Sequence, residues 1–174
     1  MIVLALDIAT RTGVSVGSSG KAPVSWSVDL GKGRSEGARF SKALSLTHCL
    51  IRDHSPDLIA VEAAIGGPNT SHFLVGLLAC VRGVSENRGV PVEVCSIGSI
   101  RKHFLGKQLT VRDYPGLSKA QARKQIKSEV MKRCSLLGWE TPDDDAADAA
   151  ACFDYACSTF ARGYQAKPVG GLFK

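Results

Sequence analysis

Acidic residues in apolar surroundings are the feature of this sequence that points most directly to chemistry. Asp7 and Glu62 each end a short apolar run, and Asp145 and Asp148 stand inside an alanine-rich segment. A carboxylate buried in such surroundings is unfavourable unless its charge is compensated. Mg²⁺ or Mn²⁺ can supply that compensation, and two such ions about 4 Å apart can stabilise the attacking and leaving oxygens of a phosphodiester. The four acids therefore predict a nuclease site that holds two Mg²⁺ ions, for which Mn²⁺ can substitute.

The last two acids are three positions apart, which places both carboxylates on one face of a helix. Small residues at positions 146, 147, 149, 150 and 151 would let that helix lie close to a sheet. At its start, Thr141 suits the N-cap and Pro142 suits the first helical position. Asp143 and Asp144 then interact favourably with the positive end of the helix and need no catalytic explanation.

Each acid also has an ordinary structural interpretation. Asp7 could form a turn, Glu62 could cap a loop after its strand, and Asp145 or Asp148 could be a first-turn helix acid. The coincidence of four such residues favours a shared site. No Ser/His/Asp arrangement is evident, and phosphoryl transfer needs positioned charge rather than a side-chain nucleophile.

Hydrophobic periodicity predicts the elements that must position these acids. Strands are expected at 2–7, 13–17, 23–29, 58–62 and 91–97, and helices at about 35–54, 69–87 and 118–137. Short turns join the first three strands, which is typical of an antiparallel meander. The alternation of helix and strand that follows predicts a mixed sheet with helices packed on it.

The predicted helix at 69–87 has an unusually broad apolar surface. Its apolar residues fall at 73, 74, 77, 78, 81 and 84, which is wider than one core-facing stripe. Two interpretations stay open: a helix sandwiched between the sheet and a loop, or a homodimer interface.

Length and composition limit the architecture and the partners. With 174 residues and 44% hydrophobic content, the chain can bury one core, so we expect one domain over 1–161 and a flexible tail over 162–174. A net charge of +6 favours a polyanionic partner. The six cysteines form no C-x-x-C pair and are expected to be reduced. The first apolar run is too short for a signal peptide or a membrane span, so we expect a cytoplasmic protein with no membrane partner.

Basic residues cluster in two places. Lys119, Arg123 and Lys127 recur every four residues on one face of their predicted helix, and a DNA backbone could lie along that row. The ordinary alternative is a solvated helix face. The second cluster, after the fifth predicted strand, contains Arg101, Lys102 and Lys107. Because aromatic residues make up only 6% of the chain, recognition of shape and phosphates fits better than base stacking.

Several motifs, in order along the chain, resemble those of the RuvC-type Holliday-junction resolvases. They are Asp7 with Thr10-Arg11-Thr12-Gly13-Val14, then Val61-Glu62, Asn69, Val81-Arg82-Gly83-Val84, Ser118-Lys119-Ala120-Gln121 and Asp145-Ala146-Ala147-Asp148-Ala149. The helix motif D-x-x-D-A, together with the two strand-end acids, is the specific part. The similarity extends from position 7 to about 156, which is nearly the whole predicted domain.

This resemblance implies an α/β, RNase H-like fold with a five-stranded mixed sheet, three antiparallel strands followed by two parallel ones, flanked by helices. It also implies a homodimer and Mg²⁺-dependent cleavage of a four-way DNA junction. By position, the metal ligands would be Asp7, Glu62, Asp145 and Asp148, and Lys119 would lie near the scissile phosphate. The DNA contacts would include Arg11 and Asn69, in addition to the two basic clusters.

The chain departs from the family pattern at three points. Ile8-Ala9 follows the first acid where the family usually has Pro-Gly, and this loop is shorter. Ile65 stands where the family often has an aromatic residue, so a stacking role there is not expected. An insertion at 110–115 lengthens the path from the preceding strand to Lys119. The family's preference for particular cleavage sequences therefore cannot be carried over to this chain.

Other functions share parts of this pattern. An RNase H-fold nuclease acting on RNA or on other branched DNA would use the same four acids. A catalytically silent DNA-binding module of the same fold would be expected to lack one of them. An actin-like ATPase fragment is disfavoured because the chain is short for two domains and shows no second Asp-Gly-Gly phosphate loop.

Overall fold

The computed structural model of the protein describes residues 1–63 and 71–164. The strands are β1 (Ile2–Asp7), β2 (Arg11–Ser18), β3 (Val24–Asp29), β4 (Leu58–Glu62) and β5 (Val92–Cys95). The helices are α1 (Glu36–His54), α2 (His72–Asn87), α3 (Ile97–Leu105), α4 (Lys119–Leu136) and α5 (Asp144–Phe160), with a short 3-10 helix at Val111–Asp113.

The strands form one mixed sheet in the order β3-β2-β1-β4-β5. β1, β2 and β3 pair antiparallel, whereas β4 pairs parallel to β1, and β5 pairs parallel to β4. The sequence therefore predicted the strand number and directions correctly. Because β1 lies between β2 and β4, the acid at its end stands at the centre of the sheet edge.

The two faces of the sheet carry separate parts of the core. Leu4 and Leu6 of β1 pack on one face with residues of α1 and α2. Val3 and Ala5 pack on the other face with α5, supported by α3 and α4. Since side chains alternate along a strand, Asp7 continues the row of Val3 and Ala5 and points toward the α5 face.

Small residues let α5 lie close to the sheet. The face that meets it includes Ala5, Ala60 and Gly17, and a Cβ built on Gly17 would lie 3.5 Å from the Phe153 ring. The helix itself presents buried alanines at 146, 147, 149, 150 and 151. This confirms the expectation that a small-residue helix packs directly on the sheet.

The start of α5 differs from the prediction. Thr141 and Pro142 precede the helix, and the N-cap is Asp143, whose side chain accepts a hydrogen bond from Ala146 N at 2.9 Å. Asp143 also accepts a hydrogen bond from Ser27 Oγ of β3. A tertiary contact therefore fixes the helix start two residues later than the local pattern indicates.

The region after β5 also differs. The strand was expected to reach Ile97, but it ends at Cys95, and Ser96 caps α3 by accepting a hydrogen bond from Ser99 N. A helical piece was expected before the loop at 105–117, but no bounds were predicted for it. Helix α3 brings His103 against the buried Asp154 of α5, with Nε2 and Oδ2 2.8 Å apart, and the Tyr164 hydroxyl also donates to Asp154.

The six cysteines are free thiols, as predicted. No helix in the described part of the chain combines the length and apolar character needed to cross a bilayer. Most of the predicted tail, 165–174, lies outside the described residues, so the division into a domain and a tail stays a prediction.

Candidate metal centre

Asp7 and Glu62 end neighbouring parallel strands. The register pairs Ala5 with Ala60 and Leu6 with Val61, so Asp7 and Glu62 occupy the next matched position. Adjacent strands lie about 4.8 Å apart, and matched residues project to the same face. The two carboxylates therefore stand side by side at the carboxyl edge of the sheet, on the α5 side.

Helix α5 contributes the other two predicted acids. Asp145 lies in its first turn and Asp148 one turn later, and both side chains are largely buried. The charges of Glu62, Asp148 and Asp145 all raise the pKa of Asp7, after the larger effect of its burial. Four carboxylates from β1, β4 and α5 thus form one electrostatically coupled group.

Burial is the largest influence on the pKa of three of these carboxylates. It raises the pKa of Asp7 well above its usual range. Burial and then the charge of Asp148 raise the pKa of Glu62 to about 7, although the Arg101 guanidinium opposes them. Burial also raises the pKa of Asp148 to about 6, against the lowering effect of Lys127. Each raised pKa indicates that the positive charges of Lys127 and Arg101 compensate the buried negative charge only in part, and a bound cation would add to that compensation.

One protein cation already lies among the acids. Lys127 Nζ of α4 is 2.9 Å from Asp144 Oδ2, 3.2 Å from Asp145 Oδ1 and 3.7 Å from Asp148 Oδ2. Its burial alone would lower the pKa of this ammonium, but the hydrogen bond to Asp144 and the charge of Asp148 outweigh burial and raise it. A positive charge is therefore accommodated by the same oxygens that a hard divalent cation prefers, and the donor set fits Mg²⁺ or Mn²⁺.

Arg11, predicted to contact DNA, also reaches the acids. Its Nη2 is 2.6 Å from Asp143 Oδ2, and its Nε is 3.3 Å from Asp145 Oδ2. The guanidinium ties the first residue of β2 to the start of α5. Since the side chain is still 58% exposed, the same group can face a ligand in solvent.

A tighter acidic group lies at the start of α5. Among residues 1–63 and 71–164, the one set of three or more possible metal ligands with all ligand atoms within 4.8 Å of one another is Asp143, Asp144 and Asp145. Asp143 is already bonded to Arg11, and Asp144 to Lys127. We therefore assign this closeness to helix capping and ion pairing. The more buried carboxylates of Asp7 and Glu62 are those whose charge most needs a metal.

The second basic cluster divides between the site and the surface. The charge of Arg101, on α3, lowers the pKa of both Glu62 and Asp148, so its guanidinium lies within electrostatic range of the acids. Its Nε is buried and has no hydrogen-bond partner among the described residues. The other predicted DNA-contacting side chains in the described residues are exposed at Lys102, Lys107, Lys119 and Arg123. Asn69 lies outside the described residues.

Two features of the site had no local signal in the sequence. Lys127 appeared only as part of a basic row, and Arg101 only as part of a basic cluster, yet both direct their charge at the carboxylates. Gly13 of β2 lies against the backbone of Asp145, and it did carry a usable signal, because a glycine inside a strand often marks a close backbone approach. A cleft of about 940 Å³, lined by residues such as Ser25, Trp139 and Pro142, includes none of the four predicted metal ligands.

No family model and no curated protein matches the sequence. Solved structures do match. Thermus thermophilus RuvC has a TM-score of 0.61 and 17% identity, covering 91% of this chain and 96% of that chain. T. thermophilus RuvC in complex with a Holliday junction substrate has a TM-score of 0.64 and 16% identity, covering 87% and 90%. The yeast mitochondrial Holliday junction resolvase Ydc2 has a TM-score of 0.53 and 13% identity, covering 89% and 77%.

At these identities the similarity establishes the fold. It confirms the RNase H-like architecture and, at the level of the fold, the resemblance that the sequence motifs predicted. The assignment of individual residues to catalysis, metal binding or DNA binding stays a prediction.

Proposed function

We propose that the protein is a divalent-metal-dependent endonuclease that cleaves four-way or related branched DNA junctions. The observation that carries this proposal is that the charges of Glu62, Asp145 and Asp148 all raise the pKa of Asp7, after the larger effect of its burial. The four acids come from three different elements, β1, β4 and α5. A structural explanation of each acid by itself does not account for their convergence. It also leaves the charge of two adjacent strand-end carboxylates, Asp7 and Glu62, only partly compensated by Lys127 and Arg101.

The four acids would hold two Mg²⁺ ions, with Mn²⁺ as a substitute. When bound, such ions lower the pKa of a coordinated water and stabilise the negative charge that develops on the phosphodiester. The chain would position them rigidly, because Asp7 and Glu62 are fixed by the strand register and Asp145 and Asp148 by one helix. A preorganised site of this kind is what phosphoryl transfer requires of a protein.

DNA binding would come from basic side chains around the acids. Lys119 and Arg123 are exposed on α4, the helix that carries Lys127 into the acidic group. Exposed cations in this position can contact phosphates on either side of the cleaved bond. Lys119 is proposed to lie near the scissile phosphate, and the net charge of +6 agrees with a polyanionic substrate.

The branched substrate is proposed from the likeness to two resolvases. One of those structures contains a Holliday junction substrate, and another is a mitochondrial Holliday junction resolvase. A junction with two equivalent strands is suited to a symmetric enzyme, so a homodimer forms part of the proposal. The outer surface of α1 and α2 offers exposed apolar side chains at Leu44 and Val75 for this contact.

The test is a comparison of substrates under one set of conditions. Purified protein with Mg²⁺ is incubated with a labelled four-way junction, a fork, a flap, an RNA/DNA hybrid and linear duplex, with EDTA as the metal-free control. We expect cleavage of the junction in preference to the duplex, and none with EDTA. Preferential cleavage of the RNA strand or the flap would instead favour the alternative nuclease. Junction binding without cleavage in either Mg²⁺ or Mn²⁺ would support a silent DNA-binding module.

A further inference from the structure

We propose that Lys127 is an internal counter-ion that a divalent metal must displace before it can occupy Asp145 and Asp148. This inference rests on the proposed metal site, and it concerns how that site is loaded rather than which substrate it cleaves. Neither the position of Lys127 in the basic row of α4 nor the likeness to known structures predicts this role.

The geometry of Asp145 carries the inference. Its Oδ1 is 3.2 Å from Lys127 Nζ, and its Oδ2 is 3.3 Å from Arg11 Nε. Both oxygens of this carboxylate are therefore in contact with protein cations. A metal ion that takes Asp145 as a ligand would be repelled by both cations and would compete with them for the same oxygens.

Lys127 is the cation that would be replaced. Its ammonium also lies 2.9 Å from Asp144 Oδ2 and 3.7 Å from Asp148 Oδ2, so it stands between the two predicted ligands of α5. Arg11 is held differently, because its shortest contact is with Asp143, which caps the helix and is not a predicted ligand. Displacing Lys127 would free Asp145 Oδ1 and Asp148 Oδ2, while Arg11 would stay on Asp145 Oδ2 and Asp143 would still cap α5.

The side chain of Lys127 can leave without disturbing the core. It is 34% exposed, and it is not among the buried residues of α4, which are Ala122, Ile126, Val130, Arg133 and Cys134. A long, flexible ammonium can extend into water while its stem stays on the helix surface. Arg123, one turn earlier, is already exposed there, so the released ammonium would join it on the surface predicted to meet the DNA backbone.

Competition of this kind makes a quantitative prediction for metal binding without DNA. Lys127→Met removes the ammonium and keeps a side chain of similar length, so Mn²⁺ should bind more tightly, with Kd reduced on the order of tenfold. Lys127→Arg keeps the charge and should show no such gain. Lys132→Met, at an exposed lysine of the same helix, removes the same net charge and serves as the matched control. The Mn²⁺ affinity of each protein is measured by electron paramagnetic resonance of the free ion.

A second measurement uses the wild-type protein and does not depend on how well a variant folds. Lysines are labelled with an amine-reactive reagent, with and without saturating Mn²⁺, and modification is quantified by mass spectrometry. We expect labelling of Lys127 to increase severalfold with Mn²⁺, whereas labelling of Lys132 stays constant. Unchanged labelling of Lys127, or a Lys127→Met protein that binds Mn²⁺ no more tightly than wild type, would overturn the proposal.

The result can be separated from the fate of the proposed function. Both measurements are made without DNA, so a protein that gains Mn²⁺ affinity on loss of Lys127 but cleaves no junction would support the counter-ion and refute the nuclease. A protein that cleaves junctions but whose Mn²⁺ affinity is indifferent to Lys127 would refute the counter-ion alone.

Discussion

Gly13 of β2 lies directly against the backbone of Asp145 in α5. A Cβ built at position 13 would overlap Asp145 O, and it would lie 2.6 Å from Asp145 C and 3.1 Å from Ala149 Cβ. Gly13 is also the cross-strand partner of Asp7. The absent side chain at position 13 therefore lets the acids of α5 approach the acid at the end of β1.

Gly13→Ala should consequently damage the site and the fold together. The obstacle is helix backbone rather than a flexible side chain, so α5 has to shift, at a cost of roughly 1–3 kcal/mol in the free energy of unfolding. The shift should also weaken Mn²⁺ binding, because it moves Asp145 and Asp148 away from Asp7. Chemical denaturation and Mn²⁺ titration measure the two effects.

The control for this substitution is Gly37→Ala in α1. A Cβ at position 37 meets no atom within 4 Å, and alanine is favoured over glycine in a helix by up to about 1 kcal/mol. This variant should be as stable as wild type or slightly more so, with unchanged Mn²⁺ affinity. A Gly13→Ala protein that behaves like it would contradict the close approach of α5.

Asp7→Asn should abolish cleavage and preserve DNA binding. The amide keeps the shape of the side chain but removes a charged ligand from the centre of the four acids. We therefore expect the cleavage rate to fall by more than about a hundredfold, which exceeds the usual effect of losing a residue that only supports a metal ligand. Binding of a four-way junction should stay within a few-fold of wild type, since the basic surface is untouched.

Cleavage rates and gel-shift affinities on the same junction decide that prediction. Asp53→Asn, which removes an exposed acid at the end of α1, is the matched control and should cleave normally. Wild-type cleavage by Asp7→Asn would remove this residue from the proposed mechanism. A parallel loss of binding and cleavage would indicate a structural role instead.

The places of the four acids, at two strand ends and on one helix, were predictable because their signals are local. A carboxylate that ends an apolar strand contrasts with its own neighbours, as Asp7 and Glu62 do, and the spacing of Asp145 and Asp148 defines a helix face. The position of Lys127 depends instead on how α4 lies across α5, which no short-range pattern encodes. The N-cap of α5 was predicted at Thr141 instead of Asp143 for the same reason, because Asp143 is held by Ser27 and Arg11, which come from distant strands.

The stability of the metal-free protein should depend on pH through Glu62. Its pKa rises from the ordinary value of 4.5 to about 7 in the folded protein, because of burial and the charge of Asp148. The folded state therefore holds this proton more tightly than the unfolded state does. Its contribution is fully present below about pH 4.5 and is lost as the pH rises through about 7.

Denaturation with EDTA between pH 4 and 8 tests this dependence. Wild-type protein should lose stability across that window relative to Glu62→Gln, by an amount on the order of 1–3 kcal/mol. Added Mn²⁺ should stabilise wild type more at pH 8 than at pH 5, because metal ligands must be deprotonated. Identical pH profiles for wild type and Glu62→Gln would show that Glu62 is not a buried acid of this group.

Lys119→Ala should slow cleavage more than it weakens junction binding. Lys119 begins α4, eight residues and therefore about 12 Å along the helix axis from Lys127. From there its exposed side chain can contact a phosphate near the acids without touching them. We expect at least a tenfold loss in single-turnover rate and a binding loss of no more than about threefold. Equal losses in both assays would make it an ordinary phosphate contact.

The proposed homodimer makes a prediction about the surface of α1 and α2. Val75 is 46% exposed on α2, where a solvated helix would be expected to carry polar residues. If this surface joins two copies, Val75→Lys places two like charges in an apolar contact and should convert the dimer to a monomer in light scattering. Leu136→Lys, at a side chain 59% exposed on α4, is the matched control and should stay dimeric. A dimer unaffected by Val75→Lys would place the contact on another surface. A wild-type protein that is monomeric at working concentration would refute the homodimer, and cleavage of the two equivalent junction strands would then need a different explanation.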